Sequence, residues 1–514
     1  MVSDFFKSLV SKGYLPQEIV PWIHSNELAD YLDDIINDIG TFAEKKSICT
    51  RYSIPKGRHH RRVLGIPNPL HYIELCKVID DNWTNIKRHV ASSSMSLTTP
   101  SIRGNSLRAL SRKFSFSEIA EKLVSCSTSS RYMLKTDISK YYSSIYTHSI
   151  AWALHTKEVA KRNKRDMTLY GNLIDNHIQR CQDWQTNGIP VGPDTSLIIS
   201  EIICVSMDQL VIKEITYKNA FRYIDDYYLF FDKLSDAERA FSELHKIMKE
   251  YGLELNSSKT KIIELPEPLE PIWVSELSKL PHSYKEILSY ISKAFNFSKQ
   301  YPHDEVLKYS LVRLREVKIG NKAWKLIQPY VQNVLIHEPS AIPIASEMLF
   351  AAYQSTQKVD KKSIYETISE VIKYHATYGN DFEVCWSLWL CAILDLKIDN
   401  SITKSISSIE NSFVALIALD LKNKGLIDGE LDLGLWESLM IKEELYGENW
   451  MLAYEAYVRN WLPSKNGDDY ITSDSFFSVL KSKDIHFYDI NAIKKWKSIS
   501  YDKKWLFSDP SPAF

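Results

Sequence analysis

Apolar positions change their period twice along the chain. In ELADYLDDIINDI, opened by Asn26 and Glu27, they fall three and four apart, so residues 1–50 read as two short helices. Across residues 51–265 the periods mix. Runs rich in aromatic and β-branched residues, such as Phe221–Phe231, are flanked by helical segments and by the turn-rich stretch Asn187–Pro193, which predicts an α+β unit. Beyond the Pro-rich junction LPEPLEPI (Leu265–Ile272) the pattern becomes helical and stays so to about residue 500. SYKEILSYISKAF, DEVLKYSLVRLREV and AWKLIQPYVQNVLI carry apolar residues three and four apart, with short Pro, Asn, Asp and Gly breaks between them. Helices in such a series predict an all-α bundle or a stacked helical-repeat array over 266–514. No crisp repeated consensus accompanies them.

With 514 residues the chain exceeds what one hydrophobic core serves, so the three parts 1–50, 51–265 and 266–514 are expected. Apolar residues make up 44% and charged residues 25%, which excludes long disorder. The net charge of −1 argues against a non-specific nucleic-acid binder until its distribution is read. Thr41–Lys135 holds 17 Lys/Arg against 6 Asp/Glu, whereas Asn380–Tyr470 holds 7 against 16. A basic lobe suited to phosphates is thus balanced by an acidic one. No apolar run approaches the roughly 18 residues of a membrane span, so no membrane partner is expected. Met1–Val10 lacks the apolar stretch of a secretory signal. The seven cysteines are odd in number with no C-x-x-C pair, which reads as reduced thiols of a cytosolic protein rather than a disulfide or zinc framework.

Two segments carry chemistry. Phe221-Arg222-Tyr223-Ile224-Asp225-Asp226-Tyr227-Tyr228-Leu229-Phe230-Phe231 reads as a β-hairpin with adjacent carboxylates at its tip. An adjacent Asp pair alone is weak, because Asp is an ordinary turn residue. Upstream, Met133-Leu134-Lys135-Thr136-Asp137 reads as a strand ending near Asp137, followed by a turn into a helix containing Ile150, Trp152 and Leu154. Asp137 and Asp225 at neighbouring strand ends could bridge two divalent ions about 4 Å apart, as in-line nucleotidyl transfer needs. Hard oxygen ligands favour Mg²⁺ or Mn²⁺.

The order LKTDISKYYSSIY, GIPVGPDTS, YIDD, LELNSSKTKI resembles the consecutive palm motifs of reverse transcriptases, and the preceding IPKGRHHRRVLGIPNP resembles their fingers motif. Five ordered motifs within residues 51–265 are specific where any one would not be. The resemblance implies a right-hand polymerase palm and fingers with an antiparallel palm sheet. It implies metal at Asp137, Asp225 and Ile138, with Asp226 as the second Asp of the pair. Tyr142 falls where the family places a bulky gate against a ribose 2′-OH, and Arg62, assisted by Lys56, falls where the incoming triphosphate is gripped. A guanidinium fork suits phosphate oxygens and a lysine supplies a point charge. Arg58 and Arg61 read as general phosphate contacts or solvated surface. Lys259 matches a lysine near the pyrophosphate, a general-acid position. Gly192 and Ser196, with Gly188, are the retained parts of the middle motif, implying a close backbone approach to the nucleotide.

Two departures refine the resemblance. Template-copying members commonly carry Gln before the middle-motif glycine, where this chain has Val191. In place of a short thumb stands the helical region 266–514. The combination resembles bacterial abortive-infection polymerases, a branch of the defence-associated reverse transcriptases. That resemblance implies HEAT-like helical repeats, homo-oligomers, and untemplated synthesis of single-stranded DNA from dNTPs, started on a protein hydroxyl in the bacterial cytoplasm. Tyrosine is the expected primer, its phenol (pKa about 10) ionising more readily than an aliphatic alcohol. Among 29 tyrosines the candidates lie outside residues 130–230, since Tyr141, Tyr142, Tyr223, Tyr227 and Tyr228 are fixed within the motifs. The alternatives are a template-copying enzyme of retron or intron type and a non-catalytic interaction protein on a polymerase fold.

Overall fold

The computed structural model describes residues 2–38, 46–57, 60–103, 106–112, 116–317, 320–355 and 358–498, so Arg58 lies outside the described residues. β1 (Thr50–Lys56) and β2 (His60–Ile66) form an antiparallel hairpin that pairs Ile54 with Arg62 and Lys56 with His60. β3 (Pro100–Ser101) and β4 (Ser111–Arg112) make a second, minimal pair. The remaining strands, β5 (Tyr132–Asp137), β6 (Asn219–Tyr223), β7 (Asp226–Phe231) and β8 (Lys261–Glu264), build one antiparallel sheet in the order β6-β7-β5-β8.

Strand period sorts this sheet into two faces. Leu134, Tyr227, Leu229 and Phe231 join the main core, where Ala237, Ala240, Leu244 and Ile247 of the helix Leu234–Glu250 pack. Met133, Tyr228 and Phe230 join a separate small cluster with Phe221, Leu97 and Ile119. Lys135, Asp137 and Asp226 follow the second register, so the acids stand on the face away from the helix Leu234–Glu250.

The helix Asp194–Glu214 corrects one expectation. At 21 residues and mean hydropathy 1.6 it is, by length and composition, apolar enough to cross a membrane. It is a core helix instead, with Ile198, Ile199, Ile202 and Ile203 fully buried. Its acids Glu201 and Asp208 interrupt the apolar run in sequence, yet they are buried and ion-paired with Arg222. All seven cysteines are free.

From Ile272 to Ser498 the described residues are helices and connecting segments, as the apolar spacing predicts. Side chains of Ser283, Asp360, Asn411 and Asp474 cap four of them by accepting backbone N–H groups. Alternate helices pack together in two layers. Tyr284–Gln300, Asn321–His337, Lys361–Thr377 and Asn400–Ser407 follow one another in the first; Val306–Leu314, Ile342–Gln354, Asp381–Ile393, Ser412–Asn423 and Trp450–Val458 in the second.

This array curves back onto the first fifty residues. Ile23 pairs with Tyr488, His24 N–H donates to Phe487 O at 2.9 Å, Trp22 meets Trp389 edge-on at 4.7 Å, and Trp386 Nε1 donates to Glu18 O at 2.9 Å. On its other side the N-terminal segment packs into the α+β unit, where Tyr14 stacks on Tyr72 at 4.3 Å. Array and α+β unit therefore share one core. A chain truncated near Pro271 should expose Trp22, Tyr52 and their neighbours and aggregate, as size-exclusion chromatography would report; a soluble, monodisperse, fully active truncation would refute the shared core.

Candidate active site

Asp137 ends β5 and Asp226 opens β7, and the two face each other across the ladder. Asp225 occupies the two-residue turn between β6 and β7, beside Ile224 at φ +56°. A β-branched residue rarely adopts that left-handed conformation, so the turn that places the acids is held under strain. Burial, followed by the proximity of Asp137, raises the Asp225 carboxyl above its ordinary range. Burial with Asp225 and Asp137 beside it pushes Asp226 up to about 6. Three carboxylates thus share one site and repel one another, a stable arrangement only if cations offset it.

Lys259 supplies one such cation. Its Nζ donates to Asp137 Oδ2 at 2.6 Å. Burial works against that charge, yet the bond to Asp137 and the neighbouring Asp226 and Asp225 prevail and raise its pKa. The loop that delivers it is an Asx turn on Asn256, whose Oδ1 accepts from Ser258 N–H and Oγ at 3.2 and 2.7 Å. Asn256 N–H in turn donates to Asp137 O at 2.9 Å, tying the loop to the strand it serves. Ile138 is buried and pairs with Leu255, so its backbone carbonyl is the only ligand it can offer a metal.

Lys56 reaches the same site from the β1–β2 hairpin. Burial lowers its pKa, and so do Arg62 and Lys259, against the opposing pull of Asp225 and Asp137. The structure therefore brings Lys56, Arg62, Lys259, Asp137, Asp225 and Asp226 into one electrostatic neighbourhood.

The donor set fits a divalent cation. Asp137 Oδ1 is buried without a hydrogen-bond partner, a bare carboxylate oxygen beside two further carboxylates. An orphaned charge of this kind is costly unless an ion completes it. Among the described residues no group of three or more His, Cys, Asp or Glu is placed to hold a metal ion by itself. An open set of one or two carboxylates completed by substrate phosphates is how Mg²⁺ is commonly held.

The middle-motif residues sit differently. Tyr142 lies in the short helix Tyr141–Ser144, half-buried, with its hydroxyl 3.4 Å from Ser200 Oγ and its carbonyl accepting from Ile189 N–H. Ser196 is buried and its Oγ donates to Pro190 O at 2.5 Å. Gly192, at φ +124°, faces Pro16: a Cβ there would lie 2.5 Å from Pro16 Cγ. Arg108 locks this contact, donating to Gly192 O at 3.0 Å, Leu15 O at 2.5 Å and Asp194 Oδ1 at 3.0 Å. The close approach at Gly192 is thus to the chain's own N-terminal segment, and Val191 O is taken by Gly65 N–H.

Arg61 departs from its reading as a phosphate contact or solvated surface. Nη1 and Nη2 grip Glu383 Oε1 and Oε2 at 2.6 and 2.9 Å, and Nε donates to Ser53 Oγ at 2.7 Å. It joins the hairpin to the helical array. Arg222, absent from the sequence reading of the site, is fully buried against Asp208 and Glu201. The sequence signal was an Arg inside a largely apolar strand, two residues before the strained Ile224.

Residues 54–297 match the family of reverse transcriptases (RNA-dependent DNA polymerases). No curated protein matches the chain. Among solved structures, apo telomerase from Candida tropicalis truncated from its C-terminal domain overlaps at 15% identity and TM-score 0.32, over 48% of this chain and 56% of that one. The apo telomerase of the same organism overlaps at 12% and 0.34, over 77% and 74%. Telomerase from Candida albicans with a fragment of telomeric RNA overlaps at 12% and 0.30, over 65% and 67%. The chain spans 56% of the first of these, and at such scores the overlaps support no functional argument. The family match covers β2 and the end of β1 from Ile54, the sheet and every carboxylate and lysine of the site: the chain carries a reverse transcriptase domain, a domain of the nucleotidyltransferase class, over residues 54–297.

Proposed function

We propose that the chain is a phage-defence DNA polymerase of the abortive-infection type, adding deoxynucleotides without a template to a protein hydroxyl in the bacterial cytoplasm. The observation that carries the polymerase chemistry is the bare, buried Asp137 Oδ1 beside Asp225 and Asp226. Asp137, Asp225 and the Ile138 carbonyl would hold Mg²⁺ or Mn²⁺. When bound, the pair supplies Lewis acidity at the attacking and leaving oxygens. Lys56 and Arg62 hold the triphosphate from the hairpin side. Lys259, kept protonated by its carboxylate neighbours, stands ready to give a proton to the departing pyrophosphate.

Three features support the finer reading. Val191 replaces the amide expected of template-copying members, and Pro16 fills the space in front of Gly192. The two-layer stacking of helices after Ile272 supports HEAT-like repeats in place of a short thumb. Exposed phenols suited to priming lie outside residues 130–230, at Tyr31, Tyr284, Tyr353, Tyr374 and Tyr378. Burial, by contrast, raises Tyr141 and Tyr227 well above the ordinary phenol range. Homo-oligomers belong to the same reading.

The test is incubation of purified protein with dNTPs and Mg²⁺ and no nucleic acid. DNA that stays with denatured protein until protease treatment is expected, with one nucleotide-bearing Tyr outside residues 130–230 after nuclease digestion and mass spectrometry. Products that separate from denatured protein and mirror an added template would move the assignment to a template-copying enzyme. The gate is tested separately: Tyr142→Ala should raise ribonucleotide incorporation relative to dNTPs by roughly tenfold or more, on the scale of removing a steric clash of 1–3 kcal/mol. Unchanged selectivity would remove Tyr142 from that role.

A further inference from the structure

The turn that carries Asp225 is held from behind by a buried polar network. Arg222 lies on the sheet face opposite the acids, beneath the helix Asp194–Glu214. Its Nε and Nη2 donate to Asp208 at 2.9 and 2.8 Å, and its Nη2 and Nη1 donate to Glu201 at 3.0 and 3.1 Å. Glu201 and Asp208 stand seven residues apart, on one face of that helix. Nη1 makes one further bond, to Ile224 O at 2.7 Å. All five guanidinium N–H groups are thereby used, a capacity lysine lacks.

The other end of the Ile224 peptide is held as well. Ile224 N–H donates to Thr98 Oγ1 at 3.2 Å, and the Thr98 hydroxyl donates to Glu201 Oε2 at 3.2 Å. Ser96 Oγ and Ser93 Oγ complete the two acids, donating to Glu201 Oε1 at 2.5 Å and Asp208 Oδ2 at 2.6 Å. Segment 95–97 docks beside β6, with Arg222 N–H bonded to Met95 O and Leu97 N–H to Arg222 O. Both polar groups of the one strained residue in this turn are therefore fixed by a single cluster whose Arg222, Glu201, Asp208, Thr98 and Ser96 are buried. A core with no further task would not place an Arg and two carboxylates here, since an apolar cluster of the same shape is as stable or more so.

We infer that Arg222 and Thr98 are positioning residues, which hold Ile224 in its left-handed conformation and so aim Asp225 at the site shared with Asp137. The inference rests on the metal-site reading of those carboxylates. Without the clamp Ile224 relaxes to negative φ, the turn reopens, and Asp225 swings away from Asp137 while the sheet stays intact. Lys56 and Arg62, on a separate hairpin, are untouched.

Thr98→Val and Arg222→Lys test this. The first is nearly isosteric and keeps the Arg–carboxylate cluster, so it remains informative if the second does not fold. Mn²⁺ binding is titrated by electron paramagnetic resonance, and dNTP incorporation is resolved into kcat and KM. In folded Thr98→Val, Mn²⁺ affinity and kcat should each fall roughly tenfold or more, with KM for dNTP nearly unchanged. Ile224→Gly, which accepts positive φ without strain, should restore most of both losses in that background. Wild-type Mn²⁺ affinity in folded Thr98→Val, or an Ile224→Gly change that only adds to the loss, overturns the inference while leaving the metal site standing. A wild-type chain that neither binds Mn²⁺ nor incorporates dNTPs overturns the site reading and the inference together.

Discussion

Asp225→Asn and Asp137→Asn should each yield a folded chain whose nucleotide incorporation is lost by at least roughly 10²–10³-fold, the scale of removing one preorganised electrostatic group from a transition state. The expectation combines two observations that pull in opposite directions. The three carboxylates are an electrostatic burden on the fold: Asp137 stands directly opposite Asp226, and Asp226 is pushed up to about 6. Removing one charge relieves repulsion, so thermal stability should hold or rise. Asp137→Asn also gives up the ion pair with Lys259, but that lysine is more than half exposed, so the stability cost is small. The proposed metal ligand set, by contrast, loses a charged oxygen that an amide replaces poorly. Activity lost with stability kept is therefore the signature of a metal site, measured by primer-independent dNTP incorporation alongside thermal melting. Either variant polymerising at the wild-type rate would falsify it.

What the sequence made legible, and what it did not, follows from the range of the interactions. The hairpin at Asp225 and Asp226 and the strand ending at Asp137 are built from local turn chemistry and alternation, which a linear reading captures. The helical array announces itself by apolar spacing, and Pro329 inside Asn321–His337 does not end that helix. The break at Tyr31, which splits the predicted ELADYLDDIINDI helix into Asn26–Asp30 and Leu32–Asp38, was not legible in that spacing. Long-range pairs left no local trace. Glu201 and Asp208 interrupt the apolar run of their helix, and only the fold shows that both are buried against Arg222. Pro16 against Gly192 joins segments far apart in sequence, so the motif glycine's actual neighbour could not be foreseen. Nor could Arg61, whose partner Glu383 lies 322 residues away.

That last pair leads to the second large effect. Arg61→Ala should loosen the β1–β2 hairpin from the helical array by about 3–5 kcal/mol, the cost of leaving a buried charge without its partner. Glu383 is fully buried, whereas the Arg61 side chain is 27% exposed and has Ser53 as a further partner. Glu383→Gln should therefore cost less than Arg61→Ala, and the reverse order would contradict the account. Amide exchange across Thr50–Lys56 reads the effect directly, because Ser53 N–H is bonded to Asp381 Oδ1 at 2.8 Å at the same contact. Each 1.4 kcal/mol is about tenfold, so exchange should accelerate by roughly two to three orders of magnitude. The loss should also depend on pH, through His375, whose Nδ1 lies 3.6 Å from Glu383. In the intact chain burial lowers the His375 pKa, Glu383 opposes that and Arg61 reinforces it, so the ring is held neutral in the fold and its contribution to stability falls as pH drops through about 6.5. Without Arg61 only burial still lowers the His375 pKa and Glu383 opposes it alone, so the ring is less depressed than in the intact chain and loses less stability as pH falls. The gap between Arg61→Ala and the intact chain should accordingly be widest near pH 8 and narrow as pH falls below about 6.5. Because Lys56 and Arg62 ride on the same hairpin, dNTP KM should rise in step with the exchange rate, which would place the helical array among the parts that hold the fingers over the carboxylates.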